Sequence, residues 1–337
     1  MSGQRIPRMI VVTGGAGFIG SNIVARLCEG GAYDVVVCDR AETAELGKWK
    51  NIAKHPIADF WAPEEMFEQL ERHSERIEAV IHMGAISSTT EQDADLIMRT
   101  NFTLSRDLWD WCSLRNVRMI YASSAATYGD GEQGFEDADD FDSLNLLRPL
   151  NAYGYSKYLF DQYAVRQAER DLAPRQWAGL KFFNVYGPNE GHKGSMKSVV
   201  AQIWPKVSAG EQVSLFKSHR PDYVDGGQLR DFVFVDDVVN IIIWLLENEQ
   251  VSGVFNAGSG QARSFADLAR ATFEAAGKAP DIAYIDMPEV LREKYQYYTE
   301  ARMDRLRALG CNVQLTPLEE GVRRYVQNFL MTQDPYR

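Results

Sequence analysis

The chain has 337 residues, with 36 Lys and Arg against 47 Asp and Glu, a formal net charge of −11. A composition 45% hydrophobic and 25% charged excludes a disordered chain, and the acidic balance excludes a general nucleic-acid binder, which needs a basic stripe to displace phosphate counterions. Four scattered cysteines, Cys28, Cys38, Cys112 and Cys311, exclude a disulfide framework and, with no Cys-x-x-Cys pair, argue against zinc.

At roughly 150 residues per domain, the length corresponds to about two domains or one large α/β unit. The N-terminus carries Arg5 and Arg8 and then enters a strand, with no apolar leader. Short β-branched runs at Met9–Val12, Val35–Cys38, Ala79–His82 and Met119–Ala122 read as buried strands. Amphipathic stretches at Asn22–Glu29, Glu64–Arg72, Leu96–Leu114 and Tyr153–Glu169 read as helices between and after them. This α/β alternation predicts a doubly wound parallel sheet of the Rossmann type. A further strand near Leu180–Phe183 leads into the stop Asn184-Val185-Tyr186-Gly187-Pro188, and Ser218–Leu229, polar with two adjacent glycines, reads as a loop. Asp231–Val235 and Gly253–Ala257 are expected to return to the main sheet. The expected division is a larger lobe of residues 1–188 plus 231–260 and a smaller, discontinuous C-terminal lobe of 189–230 plus 261–337. The longest apolar stretch, Val238–Leu246, has nine residues and contains Asn240, far short of a membrane span. The expected setting is the cytoplasm, without a membrane or nucleic-acid partner.

Thr13-Gly14-Gly15-Ala16-Gly17-Phe18-Ile19-Gly20 follows the first strand and opens the first helix. Gly14 suits a tight turn, Gly17 the close approach of backbone to a pyrophosphate, and Gly20 close helix–strand packing. The helix N-terminus adds unpaired N–H groups and a positive dipole end. An ordinary glycine-rich turn is the plainer reading, but glycine early in a helix costs up to about 1 kcal/mol relative to alanine, and these glycines keep the dinucleotide spacing. Asp39 ends the second strand 19 residues after Gly20, where an acidic side chain takes a ribose hydroxyl. Arg40 and Lys48 are either solvated loop charges or partners of a 2′-phosphate. The cofactor reading therefore leans to NADP, with NAD as the alternative.

Tyr153-Gly154-Tyr155-Ser156-Lys157 places Tyr153 and Lys157 on one helix face. A phenol near pKa 10 is a poor base, and a neighbouring ammonium together with a cationic nicotinamide would move Tyr153 towards phenolate. Tyr155 lacks that partner, because its i+4 residue is Leu159. Ser123 and Ser124 cap the strand before Ala125-Ala126; one can cap a turn while the other orients a substrate oxygen towards Tyr153, and Ser124 is the candidate for the second task. The five histidines share no metal-ligand spacing, so no metal site is expected.

These residues, in this order, resemble the extended short-chain dehydrogenase/reductase family, and within it the ADP-heptose 6-epimerase branch. The likeness rests on Gly14–Asn22, Gly84–Glu91, Tyr121–Gly129, Tyr153–Asp161 and Phe183–Met196. It implies epimerisation of a nucleotide sugar at C6 through a transient 6-keto sugar, for the supply of lipopolysaccharide inner-core heptose, by a homo-oligomer. It implies that the cofactor runs past Phe18, Ile19, Asp39, Arg40, Lys48, Met83, Gly84, Ala85, Ile86, Ser87 and Asn101, with Tyr153 and Lys157 at its nicotinamide end. Asn184 and Lys193 would sit over the sugar, and Ser88, Ser195, Gln202, Phe216, Arg230 and Tyr295 would hold the ADP-sugar. Tyr153 and Lys193 become the two acid–base groups. Arg40 replaces an amide-bearing residue of the family, and the Phe216–Arg230 stretch is longer than its usual length. The rivals are a UDP-hexose 4-epimerase or a 4,6-dehydratase, the latter disfavoured because Ala125-Ala126 stands where it carries a carboxylate pair, and a cofactor-sensing module without chemistry.

Overall fold

The computed structural model describes residues 8–41, 47–89, 91–292 and 295–337; Arg5 and Thr90, both within segments noted above, lie outside the described residues. Its strands are β1 (Met9–Thr13), β2 (Asp34–Cys38), β3 (Asp59–Trp61), β4 (Ile77–His82), β5 (Arg118–Ser124), β6 (Trp177–Phe182), β7 (Asn184–Tyr186), β8 (Val213–Phe216), β9 (Leu229–Phe234), β10 (Gly253–Ala257), β11 (Ala262–Ser264) and β12 (Ile282–Ile285). The helices are α1 (Phe18–Gly30), α2 (Met66–Arg72), α3 (Ala94–Ile97), α4 (Leu104–Leu114), α5 (Phe141–Asn145), α6 (Ala152–Ala168), α7 (Val199–Ala209), α8 (Val235–Glu247), α9 (Phe265–Ala275), α10 (Glu289–Arg292), α11 (Asp304–Ala308) and α12 (Leu318–Tyr325). A wider turn at Met98–Thr103 joins α3 to α4, so the expected helix Leu96–Leu114 is one rod with a π-type step.

The main sheet runs β10-β6-β5-β4-β1-β2-β3 and is parallel throughout. All of β1 and β4 is buried, as strands covered by helices on both faces must be, and they read accordingly as unbroken apolar runs. Chain order reverses between β1 and β4, which opens the ligand crevice at the carboxyl ends of these strands.

Gly253–Ala257 returns to this sheet as the expected edge strand, pairing with β6 over five residues. Asp231–Val235 does not return to it. Its residues form most of β9, which lies between β11 and β7 in a separate three-stranded sheet. Strand periodicity specifies a pleated, buried segment but names no partner; here β7 has already left the main sheet after Phe183, and β9 follows it. A second small sheet pairs β8 with β12. Two further apolar clusters lie outside the main core: one joins Tyr186, Phe232 and Phe234 to Val200 and Val322 of the smaller lobe, and the other, around Ile203, Val213, Leu215 and Phe273, belongs to the smaller lobe alone. Phe18, the first residue of α1, belongs to the former, so the glycine turn adjoins the cluster shared between the lobes. Among the described residues no helix is long and apolar enough to cross a membrane.

Candidate active site

A cavity of about 520 Å³ opens where β1, β4 and β5 end; its walls include Gly14, Gly17–Gly20, Asp39, Lys48, Met83–Ser88, Ser123, Ser124, Tyr153, Lys157 and Lys193. The glycine turn is shaped for close approach. Gly14 has φ +65°, and a Cβ there would lie 2.6 Å from the Gly84 nitrogen. A Cβ on Gly20 would come within 2.1 Å of the Gly14 oxygen. A Cβ on Gly17 would meet only the Gly14 oxygen, at 3.1 Å, and would otherwise fill cavity. No side chain caps the start of α1, so its N–H groups and dipole face the space a diphosphate would take. This cradle, with a buried carboxylate beyond it, fits a dinucleotide.

That carboxylate is Asp39, which accepts hydrogen bonds from Ala16 N (3.0 Å), Arg40 N (2.7 Å) and Lys48 Nζ (2.8 Å). Arg40 itself turns outward: its guanidinium is exposed and pairs with Glu64, away from the cavity wall. The two basic candidates are thus separated, Lys48 inside and Arg40 outside.

The Met83–Ser88 wall is held from behind. Gly84 N donates to Thr13 Oγ1, which bonds His82 Nδ1 at 2.6 Å; His82 Nε2 bonds Ser105 Oγ at 2.9 Å, and Ser105 donates to the Asn101 carbonyl. Burial and the charge of Lys157 push His82 down to about 3, so it is neutral. Because Ser105 gives its proton to Asn101, His82 must donate from Nε2 and accept at Nδ1. The Asn101 side chain brackets Ile86, accepting from its N–H at 2.8 Å and donating to its carbonyl at 2.9 Å, and also donates to Ser156. It is fully buried and does not line the cavity.

Ser124, Tyr153 and Lys157 do meet there. Asn151 caps α6 by accepting from Gly154 N at 2.8 Å. Gly154 lies so close to the turn after β5 that a Cβ would sit 2.7 Å from the Ala126 carbonyl. This approach brings Tyr153 to Ser124, with which it shares a hydrogen bond. Ser124 is also the serine that caps the turn, its Oγ accepting from Ala126 N at 3.1 Å, so the capping does not fall to Ser123. Ser123 points instead to buried Asp161. Tyr155 is exposed.

Burial pushes the Tyr153 phenol above its ordinary value, and the Ser124 hydrogen bond only partly opposes this. Lys157, buried and lowered to about 8 by desolvation, spends its ammonium on the Ala122 carbonyl at 2.7 Å. The pair alone therefore holds a phenol, not a phenolate.

Lys193 sits in the short 3₁₀ segment Gly191–Met196, its Nζ 5.1 Å from the centre of the Phe18 ring. Burial lowers its pKa and Glu190 works against that. Gln202 donates to the carbonyls of Ser195 (3.2 Å) and Lys197 (2.6 Å), bracing this segment; Ser195 within it and Asn184 at the start of β7 are exposed.

Phe216, Arg230 and Tyr295 form a separate cluster in the smaller lobe. Arg230 is 8% exposed, with its guanidinium 5.2 Å from the Tyr295 ring and 5.6 Å from Phe265, and Phe216 packs edge-on against Tyr295. Among the described residues Arg230 donates to the Leu229 carbonyl and has no carboxylate partner. A buried cation left without an anion is costly, which makes Arg230 the candidate in this cluster for an anionic ligand.

Sequence reasoning missed Tyr223 and Tyr297, whose rings lie tilted against each other beside Arg220, and it missed the buried Lys181–Asp161 pair. The pair had a signal: Lys181 is a charge between Leu180 and Phe182 in an otherwise apolar strand.

The family described as NAD dependent epimerase/dehydratase matches residues 10–258 of this chain. A protein of Nitratidesulfovibrio vulgaris strain DP4, named ADP-L-glycero-D-manno-heptose-6-epimerase, is 50% identical over 331 residues, which is 97% of this chain and 100% of that one. The solved Helicobacter pylori protein of the same name superposes with a TM-score of 0.77 at 30% identity, covering 95% of this chain and 96% of that one. Thermus thermophilus UDP-glucose 4-epimerase, solved with NAD, superposes with a TM-score of 0.69 at 27% identity over 94% and 96% of the two chains.

Proposed function

This chain belongs to the NAD dependent epimerase/dehydratase family, and on that premise we propose that it inverts C6 of an ADP-heptose, interconverting ADP-D-glycero-D-manno-heptose and ADP-L-glycero-D-manno-heptose. The observation that carries the substrate is 50% identity across 97% of the chain to a relative bearing the name of that activity. Supply of inner-core heptose for lipopolysaccharide is the role such an activity would serve. The resident group is a nicotinamide dinucleotide, which supplies a reversible hydride acceptor, so that oxidation and reduction at C6 cancel.

The chain's own residues divide the work as follows. The turn Gly14–Gly20 and the start of α1 hold the pyrophosphate of the cofactor, Asp39 its ribose, and Phe18, Ile19 and Met83–Ser87 its flanks, with Asn101 bracing that wall. Ser124 donates to the sugar oxygen at C6, and Tyr153, set by Lys157, moves the proton of that oxygen. Lys193, on a separate segment, serves the oxygen after the 6-keto sugar has turned over in the pocket. Arg230 holds the ADP diphosphate, Phe216 and Tyr295 offer flat faces, and Ser88, Asn184, Ser195 and Gln202 line the sugar's path. The larger lobe, 1–188 plus 231–260, is the cofactor domain, and 189–230 plus 261–337 is the substrate domain.

The cofactor we read as NADP, with the Lys48 ammonium exchanging its Asp39 contact for the 2′-phosphate. A homo-oligomer in the cytoplasm completes the reading, and the exposed Leu146, Leu150 and Tyr155 offer it apolar surface. The test is NMR of ADP-D-glycero-D-manno-heptose incubated with purified protein and no added cofactor. Inversion at C6 is the expected result; turnover of a UDP-hexose in its place would establish the 4-epimerase reading instead.

A further inference from the structure

Lys181 on β6 and Asp161 on α6 are both completely buried and lie 2.7 Å apart. The reaction as read above uses neither. Their remaining hydrogen bonds converge on one place. Lys181 Nζ donates to Thr127 Oγ1 at 2.7 Å, and Thr127 Oγ1 donates to the Ser124 carbonyl at 2.8 Å. Asp161 accepts from Ser123 Oγ at 2.7 Å and from Tyr121 Oη at 3.1 Å. Two chains of contact thus run from the pair to Ser124, one to its own carbonyl and one to the residue before it. Asp161 also lies one helical turn beyond Lys157, on the same face of α6.

Stability does not require such a pair. Burying two charges costs about as much desolvation as their attraction returns, and well-packed apolar side chains often serve as well or better. An apolar pair, however, could not hold a serine, a threonine and a tyrosine hydroxyl in fixed directions at once. We propose that the Lys181–Asp161 pair is a positioning device, which ties the turn after β5 to α6 and so fixes Ser124 against Tyr153. Lys181 and Asp161 are positioning residues; they touch neither substrate nor cofactor.

The consequence for the reaction rests on the epimerase reading, so the test has one arm that does not. In the full-length protein, Lys181→Met together with Asp161→Leu removes both charges without stranding either. The double variant should fold with a lowered melting temperature, because the buried Ser123 and Tyr121 hydroxyls lose their acceptor, and should keep its KM, yet lose kcat by about 100-fold, the loss expected of a displaced catalytic group. Amide hydrogen exchange across residues 124–128 should accelerate in it. Thr127→Val, which cuts a single tie with little change in volume, should give the same pattern in weaker form and decides the matter if the double variant does not fold. Parental kcat in a folded variant overturns the proposal, and so does a loss of kcat with unchanged exchange at 124–128. If the parent itself leaves ADP-heptose unchanged, the substrate reading fails while the exchange arm still decides whether the pair fixes the turn.

Discussion

Tyr153 enters the reaction cycle as a phenol that burial holds above its ordinary pKa, with a neighbour, Lys157, whose ammonium is bound to a backbone carbonyl. Its base strength must come from positive charge arriving with the cofactor and from the Ser124 hydrogen bond. Removal of the phenol oxygen by Tyr153→Phe should abolish nearly all epimerisation, a loss on the order of 10²–10⁴ for a general acid–base group, with KM kept. Lys193→Met should do likewise; if it raises only KM, Lys193 binds the sugar and does not transfer its proton. At the other end of the cavity, Lys48→Met should weaken NADP by roughly 10- to 100-fold, the worth of a charged hydrogen bond, and NAD much less. Equal losses for both would leave Asp39 as the determinant and point to NAD. Tyr153 and Lys157 were legible because their relation is local, four residues along one helix. The direction of Arg40 was not, since its partner Glu64 is 24 residues away and no local pattern announces it.

Among the elements, the glycine turn and the ends of β1 and β4 carry the cavity. Gly14→Ala would place a Cβ 2.6 Å from backbone while demanding φ +65°, a conformation L-residues avoid. The variant should purify without the nicotinamide absorbance that the parent retains. The buried His82 links the same elements through Thr13 and Ser105, and it sets a pH dependence. Its folded value of about 3 lies below the ordinary 6.5, so between those values the unfolded chain binds the proton more readily. Its contribution to stability is complete above the higher value and is lost as the pH falls towards the lower one. The melting temperature should therefore drop across that window, and His82→Gln, less stable at neutral pH, should show a shallower slope. An unchanged slope would assign the acid sensitivity elsewhere. Glycine spacing and β-branched runs made β1, β2, β4, β5 and the start of α1 readable. The sheet that receives Asp231–Val235 was not readable, because β9 pairs with β7 and β11 over distances in sequence that periodicity does not reach.

Across the whole molecule, α1 joins two apolar clusters: Phe18 lies in the one shared between the lobes, with Tyr186, Phe234, Val200 and Val322, while Ile23, Val24 and Leu27 enter the main core. The cofactor cradle and the Lys193 segment line one cavity, and the candidate anion site at Arg230 stands apart in the smaller lobe. That arrangement suits a sugar held by its diphosphate and free to turn at its far end, which is what inversion by hydride return demands. The most direct test is conversion of ADP-D-glycero-D-manno-heptose carrying deuterium at C6, in ordinary water, by protein with its own bound cofactor. Hydride removal and return within one site predicts an L-glycero product that keeps its deuterium at C6. A product that has exchanged this deuterium for solvent hydrogen would contradict the account, since inversion would then proceed by deprotonation at carbon.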